Sequence, residues 1–373
     1  KKPKNLEIFV MAKPVYAFEE ADSKKRMLLG GKGAGLSEMT RLKLPVPPGF
    51  IITTEVCNKY YDNNKKLPKD LMSAVMKNIT KMEKKTGKKW NSTKNPLLVS
   101  VRSGAAISMP GMMDTILNLG LNEKTVEGFA EQTKNPRFSW DSYRRFIQLF
   151  GKVVFGVNDE KFDHVLDSAK TKQGVSDDSK LNVESLKTIV SEYKKICEAH
   201  TKRKFPDSPK EQLELSIEAV FRSWMGERAI VYREKNNITK DIANGTAVNV
   251  VTMVFGNMGD DSATGVVFTR NGHNGKKEIE GEYLINAQGE DVVAGVRTGK
   301  NIELLKKDMP KSHKELSNAC TKLEKHFREP QDIEFTIEQG KFYLLQTRTA
   351  KMSAAALVKT SVDMVKEKLI DKN

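Results

Sequence analysis

The stretch from Gln331 to Arg348, QDIEFTIEQGKFYLLQTR, carries carboxylates, an amide oxygen and a guanidinium at spacings that suit a divalent metal and a phosphate. Ile333, Phe335 and Ile337 alternate with Asp332, Glu334, Thr336 and Glu338, the period-two pattern of a half-buried strand. Gly340 allows a tight reversal, and Phe342 to Leu345 runs back as a second strand. The turn decides what this hairpin presents. A three-residue loop, Glu338-Gln339-Gly340 with Gly340 left-handed, puts Asp332, Glu334, Gln346 and Arg348 on one face. A two-residue loop shifts the parity and sends Glu334 and Gln346 to opposite faces. The expectation is the three-residue loop. The competing reading of the stretch is the solvated face of an amphipathic hairpin.

Two further stretches could bind phosphate. Gly30-Gly-Lys-Gly-Ala-Gly35 reads as a turn running into a helix, where glycines admit a phosphate and Lys32 adds charge. It is not a P-loop, because Gly33 follows the lysine where Ser or Thr is required. A plain flexible turn is the alternative. Arg102 follows the apolar strand Leu97 to Val101, where its fork of donors can clamp phosphate oxygens. Ser103 to Thr115 then combines backbone donors, hydroxyls and methionines. Met112 and Met113 could equally plug the core, and Asp114-Thr115 could cap the next turn. Asn257 to Gly265 and Ala287 to Val292 read either as turns between strands or as a phosphate-cradling edge and an acidic contributor to metal or nucleotide.

These groups need elements to hold them. With 373 residues the chain fits two or three subdomains. The mixture of strand and helix signals makes it α+β. Strand-like segments occupy the region up to residue 121, and helical periodicity dominates 122–237. Strands return over 238–352, and 353–373 is an alanine-rich helix whose apolar stripe is Leu357, Val358, Val365 and Leu369. No run of eighteen apolar residues exists, so no membrane-spanning helix is expected. The net charge of +15 sits on scattered lysines without interleaved aromatics, which argues against a nucleic-acid binder. Cys57, Cys197 and Cys320 are widely spaced, which points away from disulfides and zinc and toward a cytoplasm or a reducing organelle such as a glycosome or plastid.

Together these runs resemble the nucleotide-binding domain of the pyruvate phosphate dikinase family, an ATP-grasp domain. The matching segments are LLGGKGAGLSEM, LPVPPGFIITTE, SVRSGAAISMPGMMDTILNLG, AVFRSWMGERAIVYR with GTAVNV, MVFGNMGDDSATGVVFTR, GEYLINAQGEDVVAGVRT and DIEFTIEQGKFYLLQTR. The resemblance covers Val15 to about Ile370, and MPGMMDT and GEDVVAG are its most specific parts. It implies an ATP-grasp fold with mixed sheets and an inserted helical subdomain.

It also implies a domain that binds Mg-ATP and passes its βγ-pyrophosphoryl group to a histidine, with a monovalent cation as a further candidate cofactor. Inorganic phosphate then takes the γ-phosphate, and pyruvate becomes phosphoenolpyruvate. Residue by residue, Lys32 and Arg102 would hold phosphates. Gly111, Met113, Asp114 and Thr115 would form the loop over them. Glu334 and Gln346 would ligate Mg2+ with Asp332 in support, Arg348 would balance transition-state charge, and Glu290 would lie on the nucleotide side. Val251 stands where the family usually has glutamine. None of the five histidines lies in the family's phosphate-carrying Thr-Ser-His-Ala-Ala context, so the chain reads as a fragment whose partner is a phosphohistidine domain, within a full-length homodimer. The alternatives are a nucleotide-binding regulatory module without chemistry, and a phosphoenolpyruvate synthase or glucan dikinase relative.

Overall fold

The computed structural model describes residues 13–109, 111–293 and 298–371. Its strands form two five-stranded sheets. The first holds β1 (Val15–Ala17), β2 (Gly49–Ile52), β3 (Val99–Gly104), β4 (Thr115–Leu119) and β5 (Ala247–Thr252), in the order β1-β2-β5-β3-β4. The second holds β6 (Ala263–Phe268), β7 (Glu280–Ile285), β8 (Lys300–Asn301), β9 (Gln331–Glu338) and β10 (Lys341–Thr349), in the order β10-β9-β6-β7-β8. The α+β reading holds. Every ladder in both sheets is antiparallel, so the mixing is of helix with sheet rather than of strand directions.

The β5 segment AVNVVT is buried at every position because both of its faces are covered. Val248 and Val250 pack with Val99, Val101 and Ile116 against aromatic side chains of the helices that separate β4 from β5, among them Phe146, Phe150 and Phe221. Ala247 and Val251 point the other way, into a second core with Leu29, Leu36 and Met39 and with Phe335, Ile337 and Leu344 of the second sheet. A strand buried on both sides loses the polar alternation of a half-exposed one. The helix Arg26–Arg41 contributes to that second core and touches both β5 and β10, so it is the element that joins the sheets.

Six helices lie between β4 and β5: Glu123–Thr133, Pro136–Val153, Asp159–Gln173, Val183–Thr201, Pro209–Trp224 and Glu227–Lys235. Five of them begin at a local signal. The side chains of Asn122, Asn135, Asn158, Asn182 and Ser208 each accept a backbone N–H of the first turn. Such caps are each worth about 1 kcal/mol.

The helix Ala354–Lys366 docks by a face other than its apolar stripe. Ala356, Thr360 and Met364 are buried, whereas Leu357 and Val358 are 54% and 66% exposed. The small residues face inward because the turn at Gly275 lies against them, where an added Cβ would come within 2.7 Å of the Ala356 carbonyl oxygen.

Candidate functional site

The hairpin turn has two residues, not three. Glu338 pairs with Lys341, and Gln339 and Gly340 both have left-handed backbones, with φ of 48° and 72°. That is the pattern of a type I′ turn. The neighbouring turn holds it there: Gln339 N–H donates to Ser262 Oγ at 3.0 Å and Gly340 N–H to the Asp261 carbonyl at 2.8 Å. Parity is restored by a β-bulge. The register passes from Leu344 opposite Phe335 to Gln346 opposite Glu334, leaving Leu345 as the extra residue. Glu334 therefore faces Gln346, and Asp332 faces Arg348. In the second pair Arg348 Nε donates to Asp332 Oδ2 at 2.6 Å, while Oδ1 is buried without a partner among the described residues. Burial pushes the Asp332 carboxyl above its ordinary value, and the Arg348 guanidinium opposes that.

The glycine run begins at a kink within Arg26–Arg41, and the residues after Gly30 are helical. Gly30, with φ of 70° and ψ of 160°, interrupts the helix. The reason is a close approach to the end of β3: a Cβ on Gly30 would sit 1.9 Å from the Gly104 oxygen, and Gly31 N–H donates to the Ala105 carbonyl at 2.7 Å. This contact sets Lys32 beside β3. Burial lowers the Lys32 amine to about 8, with the positive charges of Arg102 and Arg348 adding to the shift and Glu334 opposing it.

Arg102, within β3, and Thr115, at the start of β4, are cross-strand partners. Arg102 Nε is buried with no partner among the described residues. Gly111 and Met113, in the connecting loop, line the cleft with Thr115, and Gly111 has a left-handed φ of 71°. Met112 and Met113 also pack against the first core, as the alternative reading of these methionines had it. Asp114 is not among the cleft-lining residues; its carboxylate lies 3.7 Å from Arg228, and burial raises its pKa. Glu290 belongs to the short helix Gly289–Val293, but its side chain lies outside the described residues. Val251 is buried in the second core and offers no polar contact.

The cleft between the sheets has two ends. A polar cavity of about 240 Å3 is lined by Arg26, Lys32, Ser103, Glu334, Gln346 and Arg348. An apolar one of about 420 Å3 is lined by Leu117, Met253, Val254, Val292, Phe335 and Leu345. Lys32, Thr115 and Glu334 border both, and Arg102 borders the apolar one. A flat apolar group next to a polyanion fits this division. Glu334 is the one carboxylate among the described lining residues, facing several cations. Neither Glu334 nor Gln346 has a side-chain hydrogen bond among the described residues, where no cluster of three His, Cys, Asp or Glu side chains could hold a metal. One free carboxylate and one amide oxygen fit Mg2+ held jointly with substrate phosphates, because Mg2+ needs few protein ligands when phosphates complete its shell.

Sequence reasoning passed over Arg26, whose Nε donates to the Ala106 carbonyl at 3.3 Å at the mouth of the cleft. It also passed over the apolar wall from Met253 and Val254. The available signal there was an apolar run continuing past the end of β5.

The family model described as "Pyruvate phosphate dikinase, AMP/ATP-binding domain" matches residues 26–66, 63–314 and 309–369. The chain is 55% identical over 360 residues to the pyruvate, phosphate dikinase of Entamoeba histolytica, covering 96% of this chain and 41% of the relative. It is 54% identical over 361 residues to that of Clostridium symbiosum, with the same coverage. The chloroplastic pyruvate, phosphate dikinase 1 of Arabidopsis thaliana is 46% identical over 368 residues, 98% of this chain and 38% of the relative. The chain thus spans about two fifths of the length of the curated relatives it matches. It belongs to the family of the pyruvate phosphate dikinase AMP/ATP-binding domain.

Proposed function

We propose that the chain binds Mg-ATP in the cleft between its sheets and passes the βγ-pyrophosphoryl group to a histidine on a separate domain. That step is the first part of the conversion of ATP, phosphate and pyruvate to AMP, pyrophosphate and phosphoenolpyruvate. The observation that carries this reading is the division of the cleft. Four cations, Arg26, Lys32, Arg102 and Arg348, gather beside one free carboxylate at Glu334, and an apolar wall sized for a base lies next to them.

In this reading the base and ribose enter the apolar end, and Lys32 and Arg102 take the β and γ phosphates. Bound Mg2+ would be held by Glu334 and Gln346 together with the phosphates and would supply neutralising charge to the transferring group. Arg348, held in place by Asp332, faces the same phosphates and balances charge that builds up during transfer. Gly111, Met113 and Thr115 close over them. A nucleotide-binding module without chemistry is the second reading. It is disfavoured by Arg348, a guanidinium anchored by a carboxylate at the phosphate end, which binding of the base does not require.

The deciding experiment mixes the chain with Mg-ATP labelled at the β-phosphate, with and without a separately expressed phosphohistidine domain of a dikinase. AMP released only with that domain, and label on its histidine, is the expected result. ATP binding without AMP in either mixture, repeated after fusion to a native histidine domain, would leave the chemistry-free module standing.

A further inference from the structure

Ile51, Asn249, Arg102 and Thr115 are successive cross-strand partners, a single row across β2, β5, β3 and β4. Directly opposed residues share a face of the sheet, here the face on which the helix Arg26–Arg41 packs. Asn249 is wholly buried, the one amide in an otherwise aliphatic and hydroxyl-bearing strand. Its carboxamide is wedged between two glycines. A Cβ on Gly33 would meet Asn249 Oδ1 at 2.9 Å, and a Cβ on Gly104 would meet Nδ2 at 2.7 Å. Nδ2 donates a long hydrogen bond of 3.4 Å to the Arg102 carbonyl, and Oδ1 has no partner among the described residues.

A buried acceptor left unpaired costs about 1–3 kcal/mol, so its presence in an aliphatic strand calls for a reason. The matching defect is next to it. Arg102 Nε, a buried donor without a partner, belongs to the residue directly opposite. Side chains in such a pair start about 5 Å apart at Cβ, within reach of one another after a rotation of the arginine.

We propose that Asn249 is a positioning residue for the nucleotide phosphates. Its carboxamide spaces the Lys32-bearing helix from the Arg102-bearing strand, and its free oxygen accepts the Arg102 Nε–H when the guanidinium turns onto phosphate. The energetic consequence is that two buried polar atoms become satisfied only in the liganded cleft. The inference rests on the nucleotide reading above, and the test separates the two.

Binding of Mg-ATP, Mg-tripolyphosphate and AMP is measured calorimetrically for the whole chain and for Asn249→Leu and Asn249→Asp. Wild-type binding of ATP judges the nucleotide reading alone. The inference is judged on tripolyphosphate, which carries the phosphates without a base. Asn249→Leu should bind it about tenfold more weakly, the size of one lost charge-assisted hydrogen bond. AMP should change by less than about twofold, because the lost contact serves the outer phosphates. Asn249→Asp should recover most of the tripolyphosphate affinity, since a carboxylate oxygen still accepts from Arg102. A packing defect would instead weaken AMP by the same factor and would not be rescued by Asp, and either result overturns the proposal. Should leucine prevent folding, Asn249→Ser decides on the same readout: its hydroxyl is too short to reach Arg102, so wild-type affinity for tripolyphosphate overturns the proposal and a tenfold loss supports it.

Discussion

Gln346 stands directly opposite Glu334 because Leu345 is an extra residue in its strand. The two-residue turn alone would have placed the amide and the carboxylate on opposite faces of the hairpin. The bulge reverses that parity, and beyond it Arg348 meets Asp332. One added residue therefore decides whether the two proposed metal ligands share a face of the hairpin.

Glu334 has no hydrogen bond or ion pair to lose among the described residues. Glu334→Gln should accordingly leave the unfolding midpoint without nucleotide within about 2 °C of the wild type, as surface-like changes of less than about 0.5 kcal/mol do. The same variant should lose Mg2+-dependent ATP affinity, measured by titration with and without the metal. Unchanged ATP affinity in magnesium would remove Glu334 from the metal site.

Gly30 carries the junction between the helix and β3. A Cβ there meets both a left-handed backbone and a carbonyl oxygen 1.9 Å away. Gly30→Ala should cost more than about 2 kcal/mol, since the backbone strain alone accounts for about 1–2. Denaturant unfolding measures it. Gly111→Ala is the control: its φ is also left-handed but nothing lies within 4 Å, so the strain acts without the clash and the loss should be clearly smaller. Equal losses would show that the contact with Gly104 is not what fixes the segment.

Much of this site could be read along the chain, and the failures have local causes. The alternation around Phe335 identified the strand, and the types of Glu334, Gln346 and Arg348 suggested the chemistry proposed for it. The turn length was misjudged because a bulge and a shorter turn have the same parity as a three-residue loop without one. The hydrogen bonds that select between them come from Asp261 and Ser262, about 80 residues earlier. The glycine run was read as a turn entering a helix, and the break does fall at Gly30, but a helical turn precedes it, and the matching of Gly30 and Gly33 to β3 and to Asn249 is not revealed by periodicity. The C-terminal helix buries a face other than its apolar stripe for a similar reason. Close packing against Gly275 selected Ala356 and Thr360 over larger apolar residues.

Arg270 is fully buried two residues past β6, where its guanidinium donates to both oxygens of Glu324 and to both of Glu367. Glu324 is itself buried, whereas Glu367 is partly exposed. Removing the buried partner leaves the buried guanidinium with the partly exposed Glu367 alone and Thr269 Oγ1 without its acceptor. Glu324→Ala should therefore cost about 3–5 kcal/mol in denaturant unfolding, while the double change Arg270→Leu with Glu324→Leu should cost less than the single one. A double variant at least as unstable as Glu324→Ala would mean that the pair stabilises by attraction rather than by mutual compensation.

Lys32 ties stability and ligand affinity to pH with opposite signs. Its amine titrates at about 8 in the folded chain against an ordinary value of 10.5, because burial penalises the ammonium. Below the folded value both states hold the proton, and the penalty on the fold is complete. Between about 8 and 10.5 the unfolded chain binds more protons than the folded one, so the Lys32 contribution makes the fold more stable as pH rises. In the proposed site ATP binding should run the other way, since the ammonium assigned to the phosphates is lost over the same window. ATP affinity should thus fall from pH 7 to pH 9.5 while the ligand-free unfolding midpoint gains the Lys32 contribution. Lys32→Met should lower ATP affinity at pH 7 and flatten both dependences. A wild-type affinity that stays level across this range, with a midpoint whose slope is unchanged in Lys32→Met, would place the Lys32 amine away from the phosphates and out in solvent.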